Sequence, residues 1–304
     1  MQNSIELSEK SSISADAACK KKKRHFFLSV LGIAMVLILA GELLAFLIDI
    51  IAHKLFPNMS GGTAFLLMYL EAGGTAIAVA AYCILAEKGI FKSFFASGRG
   101  GMSGNTIKNF GLGLLIGLVM NGACILFAYL HGDLHFYMGD IHFPYLICAL
   151  IVVCIQSGAE ELLTRGYMMG ALRERYNIWI AIAINSLFFG FLHLFNPGIT
   201  VLSMLNIVLI GFALSLVAYY LDSLWMCIAI HTAWNYTQSI LFGLPNSGIV
   251  SDGSLLHLEA STNSLFYDAS FGIEGSLSAV VVICLLAIAV FCTQTKKAGI
   301  FLKK

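Results

Sequence analysis

Two adjacent carboxylates, an arginine, two histidines and an asparagine interrupt stretches of the chain that are otherwise apolar. A charged side chain at the centre of a bilayer costs roughly 2.5–3.5 kcal/mol on insertion scales, so such residues are rare there unless they have a partner and a function. Their combination in one chain therefore predicts a functional site inside the membrane. The six residues are Glu160, Glu161, Arg165, His193, His231 and Asn235.

The spacing of these residues predicts different partners for the two carboxylates. Glu161 and Arg165 stand four positions apart, which places them on one face of a helix and predicts an ion pair. Glu160 points about 100° away on the same helix and is left to face another element. His231 and Asn235 also stand at i and i+4, so they share a helical face.

Helix geometry also predicts which residues lie at the same depth. Glu160 lies 16 residues before position 176, and His193 lies 16 residues after position 177. In an antiparallel hairpin that turns at 176–177, both residues are ~24 Å from the turn, because a helix rises 1.5 Å per residue. His231 follows Asp222 by only nine residues. It reaches the same depth only if the turn before it is recessed.

A carboxylate, two imidazoles and a carboxamide in one pocket suit the hydrolysis of a peptide bond. A glutamate at the position of Glu160 can take a proton from water near neutral pH, and an adjacent imidazole can polarise the same water. His231 and Asn235 can donate hydrogen bonds to the oxyanion that develops on the carbonyl. This pattern predicts water-dependent hydrolysis.

Other roles remain open for the same residues. Each polar residue alone is often a structural hydrogen-bonder between helices. Ser157 or Cys154, on the same helix as Glu160, could act as a covalent nucleophile. Glu160, His193 and His231 could instead bind zinc through an N2O ligand set found in hydrolases. The sequence contains no HExxH motif.

The composition places these residues in a membrane protein. The 304 residues are 59% hydrophobic and 12% charged, with a mean hydropathy of +0.85, whereas soluble domains carry about 25% charged residues. Eight cysteines are scattered without a CxxC pair, which indicates neither a disulfide framework nor a zinc knuckle. We predict an all-α, polytopic fold with about eight transmembrane helices, at 26–51, 63–86, 110–130, 144–173, 178–195, 199–221, 223–242 and 275–293.

Lysine and arginine residues concentrate on one side of the predicted spans, and the loops on the other side are nearly free of them. They concentrate in the run Lys20–Arg24, the connector 87–109, the turn at 173–175 and the C-terminal tail. The positive-inside rule therefore predicts that both termini are cytoplasmic, and the basic run is expected to contact anionic lipid headgroups. We divide the chain into a disordered basic tail (1–25), spans 1–3 (26–143), a core of spans 4–7 (144–242), and an extracytoplasmic loop, last span and basic tail (243–304).

Three motifs, in this order, carry a resemblance to a known family. They are Glu-Glu-x-x-x-Arg at 160–165, Phe-x-x-x-His at 189–193 and His-x-x-x-Asn at 231–235. Over about 145–240 the chain resembles the CPBP (Abi-like) intramembrane endopeptidases, which process CAAX proteins or bacteriocins. The resemblance implies that Glu160 activates water with His193, that His231 and Asn235 stabilise the oxyanion, and that Arg165 braces Glu161. The family has been described both as a metalloprotease and as glutamate-dependent without metal; we favour the metal-free form.

We therefore expect an intramembrane endopeptidase that acts on membrane-associated proteins or peptides in a bacterial plasma membrane. No nucleic-acid partner is expected. One alternative is a non-catalytic bacteriocin-immunity or regulatory protein of the same fold. Another is a proton-coupled transporter that uses Glu42, Glu71 and Glu160 as relay sites, which would predict broken helices or an inverted repeat.

Overall fold

The computed structural model describes residues 26–95 and 101–301, and helices dominate it. They are α1 (Phe27–Leu55), α2 (Gly61–Glu71), α3 (Gly73–Leu85), α4 (Lys88–Ser93), α5 (Ile107–His131), α6 (Phe143–Glu161), α7 (Met169–Arg173), α8 (Ile178–Leu192), α9 (Val201–Tyr220), α10 (Leu224–Tyr236) and α11 (Leu277–Phe301). Two π-helical segments, Leu162–Met168 and Thr237–Leu241, continue α6 and α10. The predicted basic tail at 1–25 lies outside the described residues.

These helices confirm the predicted all-α, polytopic membrane fold. The described residues include five helical segments that are long and apolar enough to cross a membrane: Phe27–Leu55, Gly61–Leu85, Ile107–His131, Phe143–Arg173 and Val201–Tyr220. The helices Ile178–Leu192 and Leu277–Thr293 are apolar but shorter. The count of eight spans therefore stays a prediction.

The outer surface of α1 has the character of a lipid-facing helix. Val36 and Leu39 are each 63% exposed, and Leu43 is 60% exposed. Soluble proteins rarely leave a continuous apolar surface of this kind uncovered. The opposite face of α1 packs on α3, where Gly41 and Gly74 let the two backbones approach; a Cβ atom at Gly74 would lie 2.6 Å from the carbonyl oxygen of Gly41.

Helix α10 is central to the bundle because it packs on both α5 and α6. On α5, Gly113 and Gly117 face the backbone of α10, and a Cβ atom at Gly113 would lie 2.8 Å from the carbonyl oxygen of Met226. Small residues at this spacing permit close helix contact in membranes. Helix α8 packs on α9, and α9 packs in turn on α11, so the predicted site residues lie between packed helices.

Side-chain caps fix the starts of several helices. In each case the side-chain oxygen of the N-cap residue accepts a hydrogen bond from a backbone N–H three residues later, which satisfies one of the unpaired donors of the first turn. The capping residues are Ser60, Thr106, Asn177, Thr200 and Ser223, for α2, α5, α8, α9 and α10.

The predicted loops 131–143 and 243–274 contain a β-ribbon that the sequence analysis did not predict. Strand β1 (Leu134–Met138) pairs antiparallel with β2 (Leu256–Ser261), with an irregularity between His135 and Phe136. Asp133 fastens one end of the ribbon, since its backbone oxygen accepts from the N–H of Thr262 and its carboxylate accepts from the hydroxyl of Ser264. The ribbon ties the segment after α5 to the segment that leads to α11.

Candidate active site

Glu161 and Arg165 form a buried ion pair within one continuous helical segment. Nη1 of Arg165 lies 2.9 Å from Oε1 of Glu161, and neither side chain is exposed. The guanidinium also donates to the hydroxyl of Thr164 and to the carbonyl oxygen of Gly211 on α9, and it lies 4.6 Å from the ring centroid of Phe189 on α8. A buried pair is tolerated when further hydrogen bonds satisfy its atoms. Arg165 therefore links α6, α8 and α9.

A π-helical segment begins directly after the carboxylate pair. It covers Leu162–Met168, and a second π-helical segment covers Thr237–Leu241, two residues after Asn235. Short π-helical insertions are rare and occur often at functional sites. The i, i+4 contact between Glu161 and Arg165 is kept in spite of the changed helical pitch.

His231 of α10 contacts both carboxylates of α6. Its Nδ1 lies 3.0 Å from Oε1 of Glu161, and its Nε2 lies 3.8 Å from Oε2 of Glu160. A carboxylate that is ionised can only accept a hydrogen bond, so Nδ1 carries a proton. The Nε2 atom of His231 is consequently the one that faces Glu160.

The depth of His231 follows from a recessed turn between α9 and α10. Ser223 and Leu224 are fully buried, because the segment before α5 covers them. The buried side chain of Asn105 accepts a hydrogen bond from the backbone N–H of Trp225, and the carboxylate of Asp222 accepts from the backbone N–H of Ser103. The turn before His231 is thus recessed, because the segment that precedes α5 packs under it.

His193 lies at the C-terminal end of α8 and lines the same cavity as Glu160 and His231. Its Nδ1 lies 2.9 Å from the backbone carbonyl oxygen of Phe189. A carbonyl oxygen only accepts, so Nδ1 is the donor and Nε2 of neutral His193 retains its lone pair. His193 and Glu160 stand at equal distances from the predicted helix turn, and the structure places both in one cavity.

Gln156 is a site residue that the sequence analysis missed. Its Nε2 donates to Oε1 of Glu160 over 2.6 Å, and its Oε1 accepts from Nδ2 of Asn235 over 3.3 Å. The signal was available, because Gln156 stands four positions before Glu160 and therefore on the same helical face. Gln156 joins the free carboxylate of α6 to the asparagine of α10.

The two candidate nucleophiles are differently placed. Ser157 is fully buried, and its hydroxyl donates to Oε1 of Gln156. Cys154 lines a separate apolar groove between α3, α5, α6 and α10. Neither residue lines the cavity of Glu160 and His231.

The cavity has a volume of about 220 Å³, and polar residues also line the wall opposite the α6 carboxylates. Glu274, from the 3-10 turn before α11, belongs to this wall. Its Oε2 accepts from the backbone N–H and the hydroxyl of Ser247, at 2.7 and 2.6 Å. Burial raises the pKa of Glu274, while the hydrogen bond from Ser247 and the charge of His193 act in the opposite direction.

The described residues do not form a ready metal site. No group of three or more His, Cys, Asp or Glu side chains among them is arranged to hold one metal ion. Nδ1 of His231 and Nδ1 of His193 are both committed to protein acceptors, so a metal would have to be bound through the two Nε2 atoms and Glu160.

We compared the chain with known protein families, curated proteins and solved structures. The search of curated proteins found no match, and neither did the search of solved structures. Residues 141–237, about a third of the chain, match the family model described as type II CAAX prenyl endopeptidase, Rce1-like. The apolar helices and this match support an integral membrane protein, and the match supports a peptidase or other hydrolase. The match contains all six predicted site residues, and it confirms the resemblance to the CPBP/CAAX protease family over residues 141–237.

Proposed function

We propose that the chain is an intramembrane endopeptidase that hydrolyses peptide bonds of membrane-associated proteins or peptides with water activated by Glu160. The observation that supports this proposal is the 3.8 Å separation of Oε2 of Glu160 and Nε2 of His231 at the wall of one cavity. A water oxygen between these atoms can lie within hydrogen-bond distance of both. A carboxylate in this position can take the proton of the attacking water.

The hydrogen bonds around Glu160 support its role as the base. Gln156 donates to Oε1 and so fixes the orientation of the carboxylate. Oε2 is buried and accepts no hydrogen bond from any described residue. The oxygen that faces His231 is therefore the one that is available to accept a proton from water.

His231 is proposed to stabilise the oxyanion. Because Nδ1–H of His231 donates a hydrogen bond to Glu161, the ring can also donate from Nε2 only as an imidazolium. Glu161 and Glu160 flank the ring on its two nitrogen sides, which favours that charged form. The proposed role of Asn235 is to hold Gln156 in the free enzyme and to donate to the oxyanion when substrate is bound.

His193 is proposed to share the activation of water. Its Nδ1–H donates to the backbone of Phe189, so the lone pair at Nε2 can accept a hydrogen bond from the attacking water. The proton that Glu160 takes from this water then passes to the leaving amine. Glu161 and Arg165 act through His231 and are positioning residues.

The location of the protein forms part of the same proposal. The basic turn at 173–175 begins the hairpin arm that ends at His193, so the positive-inside rule puts the cavity nearer the extracytoplasmic face. Both termini would then be cytoplasmic, in a bacterial plasma membrane. Labelling of Glu259→Cys, but not of Lys92→Cys, by an impermeant maleimide on intact cells is expected, with labelling of the unmodified protein subtracted.

The test of the activity is cleavage of a library of internally quenched peptides by the purified protein in detergent, with products identified by mass spectrometry. Glu160→Gln is expected to lower kcat/KM by about 10²- to 10⁴-fold. Glu42→Gln, a span carboxylate that does not line the cavity, is the matched control and is expected to retain activity. Cleavage that survives in Glu160→Gln would overturn the assignment of the base, and no cleavage by folded wild type would favour a binding protein.

A further inference from the structure

The cavity wall opposite the α6 carboxylates is built from three segments outside that helix. Nδ2 of Asn196, after α8, donates to the backbone oxygen of Ser247. Ser247 donates twice to Oε2 of Glu274, and Nδ2 of Asn206, on α9, donates to the backbone oxygen of Glu274. These bonds tie the segments around 196, 247 and 274 into one surface. Ser247 and Glu274 lie beyond residues 141–237, which match the family model.

Glycines at two turns let these segments approach each other. Gly248 has φ +86° and faces the backbone oxygen of Pro197, and Gly272 has φ +88° and faces the backbone oxygen of Pro245. A Cβ atom at either position would clash with that oxygen, and a residue other than glycine would have to adopt an unfavourable backbone conformation. The wall is therefore held in a defined position before any ligand binds.

This wall presents hydrogen-bond acceptors that have no donor. Oε1 of Glu274 accepts no hydrogen bond from any residue that the structure describes, because both bonds from Ser247 go to Oε2. Oδ1 of Asn206, a residue 1% exposed, is buried without a partner in the same part of the chain. Both residues line the cavity. A buried acceptor without a donor costs about 1–3 kcal/mol.

The orientation of Asn206 does not depend on an arbitrary choice of amide atoms. Its Nδ2 lies 2.8 Å from the backbone oxygen of Glu274 and 2.9 Å from that of Ser276. Carbonyl oxygens only accept, so the nitrogen must face them and Oδ1 must face away. The amide nitrogen of Asn206 is thus used within the wall, and its Oδ1 is left as an acceptor without a donor.

The charged residues that line the cavity also favour a positively charged ligand group. Among the described residues that line the cavity, Glu160 and Glu274 are carboxylates, and none is Lys or Arg. Glu161 lies outside the cavity lining, paired with Arg165. His193 and His231 supply positive charge only when they are protonated. A ligand group that combines positive charge with several N–H donors would match both the charge and the unpaired acceptors.

We propose that Glu274, with Asn206, is a specificity site that binds an ammonium or guanidinium group of the substrate close to the cleaved bond. This inference rests on the proposed endopeptidase function and names its substrate class as peptides with a basic group. Lysine has three N–H donors and arginine has five. The amino terminus of a peptide offers the same chemistry, and acetylation distinguishes it from a side chain.

The test compares apolar decapeptides that are amidated at the C-terminus and differ by one Lys, Arg or Gln, each with a free or an acetylated N-terminus. Wild type is expected to cleave a basic peptide with a kcat/KM at least about tenfold above that of the matching Gln peptide. In Glu274→Gln this ratio is expected to fall to near one, and in Glu274→Lys a Glu peptide is expected to be preferred. The ratio is insensitive to a general loss of activity.

Two further measurements keep the inference separate from the proposed function. Glu259→Gln, an exposed carboxylate on β2, is expected to leave the ratio unchanged. Binding of the same peptides to Glu160→Gln, with and without Glu274→Gln, is measured independently of cleavage. Preferential binding of basic peptides that requires Glu274 would support the inference even if wild type cleaved nothing. Equal binding and equal cleavage of basic and neutral peptides would overturn it.

Discussion

Nδ1 of His231 lies 3.0 Å from Oε1 of Glu161, so that two residues 70 positions apart in the chain share a buried hydrogen bond. The same oxygen accepts from Nη1 of Arg165 over 2.9 Å. One carboxylate oxygen thus joins a guanidinium on its own helical segment to an imidazole on α10. This arrangement fixes which nitrogen of His231 faces the cavity.

Arg165→Ala is expected to lower the free energy of unfolding by about 3–5 kcal/mol, because it leaves the buried carboxylate of Glu161 without its cation. The measurement is chemical denaturation in detergent micelles. Arg173→Ala is the matched control: this exposed arginine lies 5.3 Å from the ring centroid of Tyr219, and its loss is expected to cost about 1 kcal/mol or less. Equal effects of the two substitutions would contradict the role of the buried pair.

Gln156→Met is expected to lower kcat/KM by about 10- to 100-fold while the protein stays folded. The substitution removes the donor to Oε1 of Glu160, and a hydrogen bond to a charged group contributes about 1.5–3 kcal/mol. Peptide cleavage by the purified variant measures the effect, and circular dichroism checks the fold. Unchanged kcat/KM would show that Glu160 does not need this bond to hold its orientation.

Ser157→Ala and Cys154→Ser are expected to retain kcat/KM within about threefold of wild type, because neither side chain lines the cavity. Loss of a covalent nucleophile would instead cost several orders of magnitude. The measurement is peptide cleavage together with a search by mass spectrometry for an acyl adduct. An acyl adduct on either residue would show that the protein uses covalent catalysis and would contradict hydrolysis by activated water.

The metal-free mechanism predicts that a strong chelator leaves peptide cleavage by wild type unchanged. The reason is that Glu160 acts as a base in this mechanism rather than as a ligand. Cleavage is measured before and after incubation with chelator and again after addition of zinc. Loss of activity that zinc restores would assign Glu160, His193 and His231 to metal binding and would contradict the proposed role of Glu160.

Part of this site follows from sequence spacing alone. The pair of Glu161 and Arg165 follows from i, i+4 spacing, and the shared depth of Glu160 and His193 follows from their equal distances to one helix turn. These relationships lie within a helix or a hairpin, where the geometry of the backbone is known in advance. Gln156 could have been found by the same argument.

The remainder depends on contacts between distant segments. The depth of His231 is set by Asn105, which packs under the turn before α10 and is not near it in sequence. Glu274 reaches the cavity only because Ser247 and Asn206 bind it. The β-ribbon likewise joins two segments that are separated by five helices. No local pattern of hydrophobic residues reports such contacts.

The stability of the protein is expected to depend on pH through Glu274. Burial raises the pKa of this carboxyl above its ordinary value of 4.5. Between that value and the raised pKa, the folded protein binds more protons at Glu274 than the unfolded chain does. The free energy of unfolding therefore falls as the pH rises through this window.

Glu274→Gln removes this titration, so the difference in unfolding free energy between wild type and variant is expected to fall with rising pH from about 4.5 and to level off above the raised pKa. Denaturation of both proteins across this pH range measures the difference. His193 and His231, whose charges act on Glu274, are present in both proteins, and Glu259→Gln gives the baseline for an exposed carboxylate. A difference that rises with pH would show that the hydrogen bonds from Ser247 outweigh burial and that Glu274 is held as a carboxylate throughout.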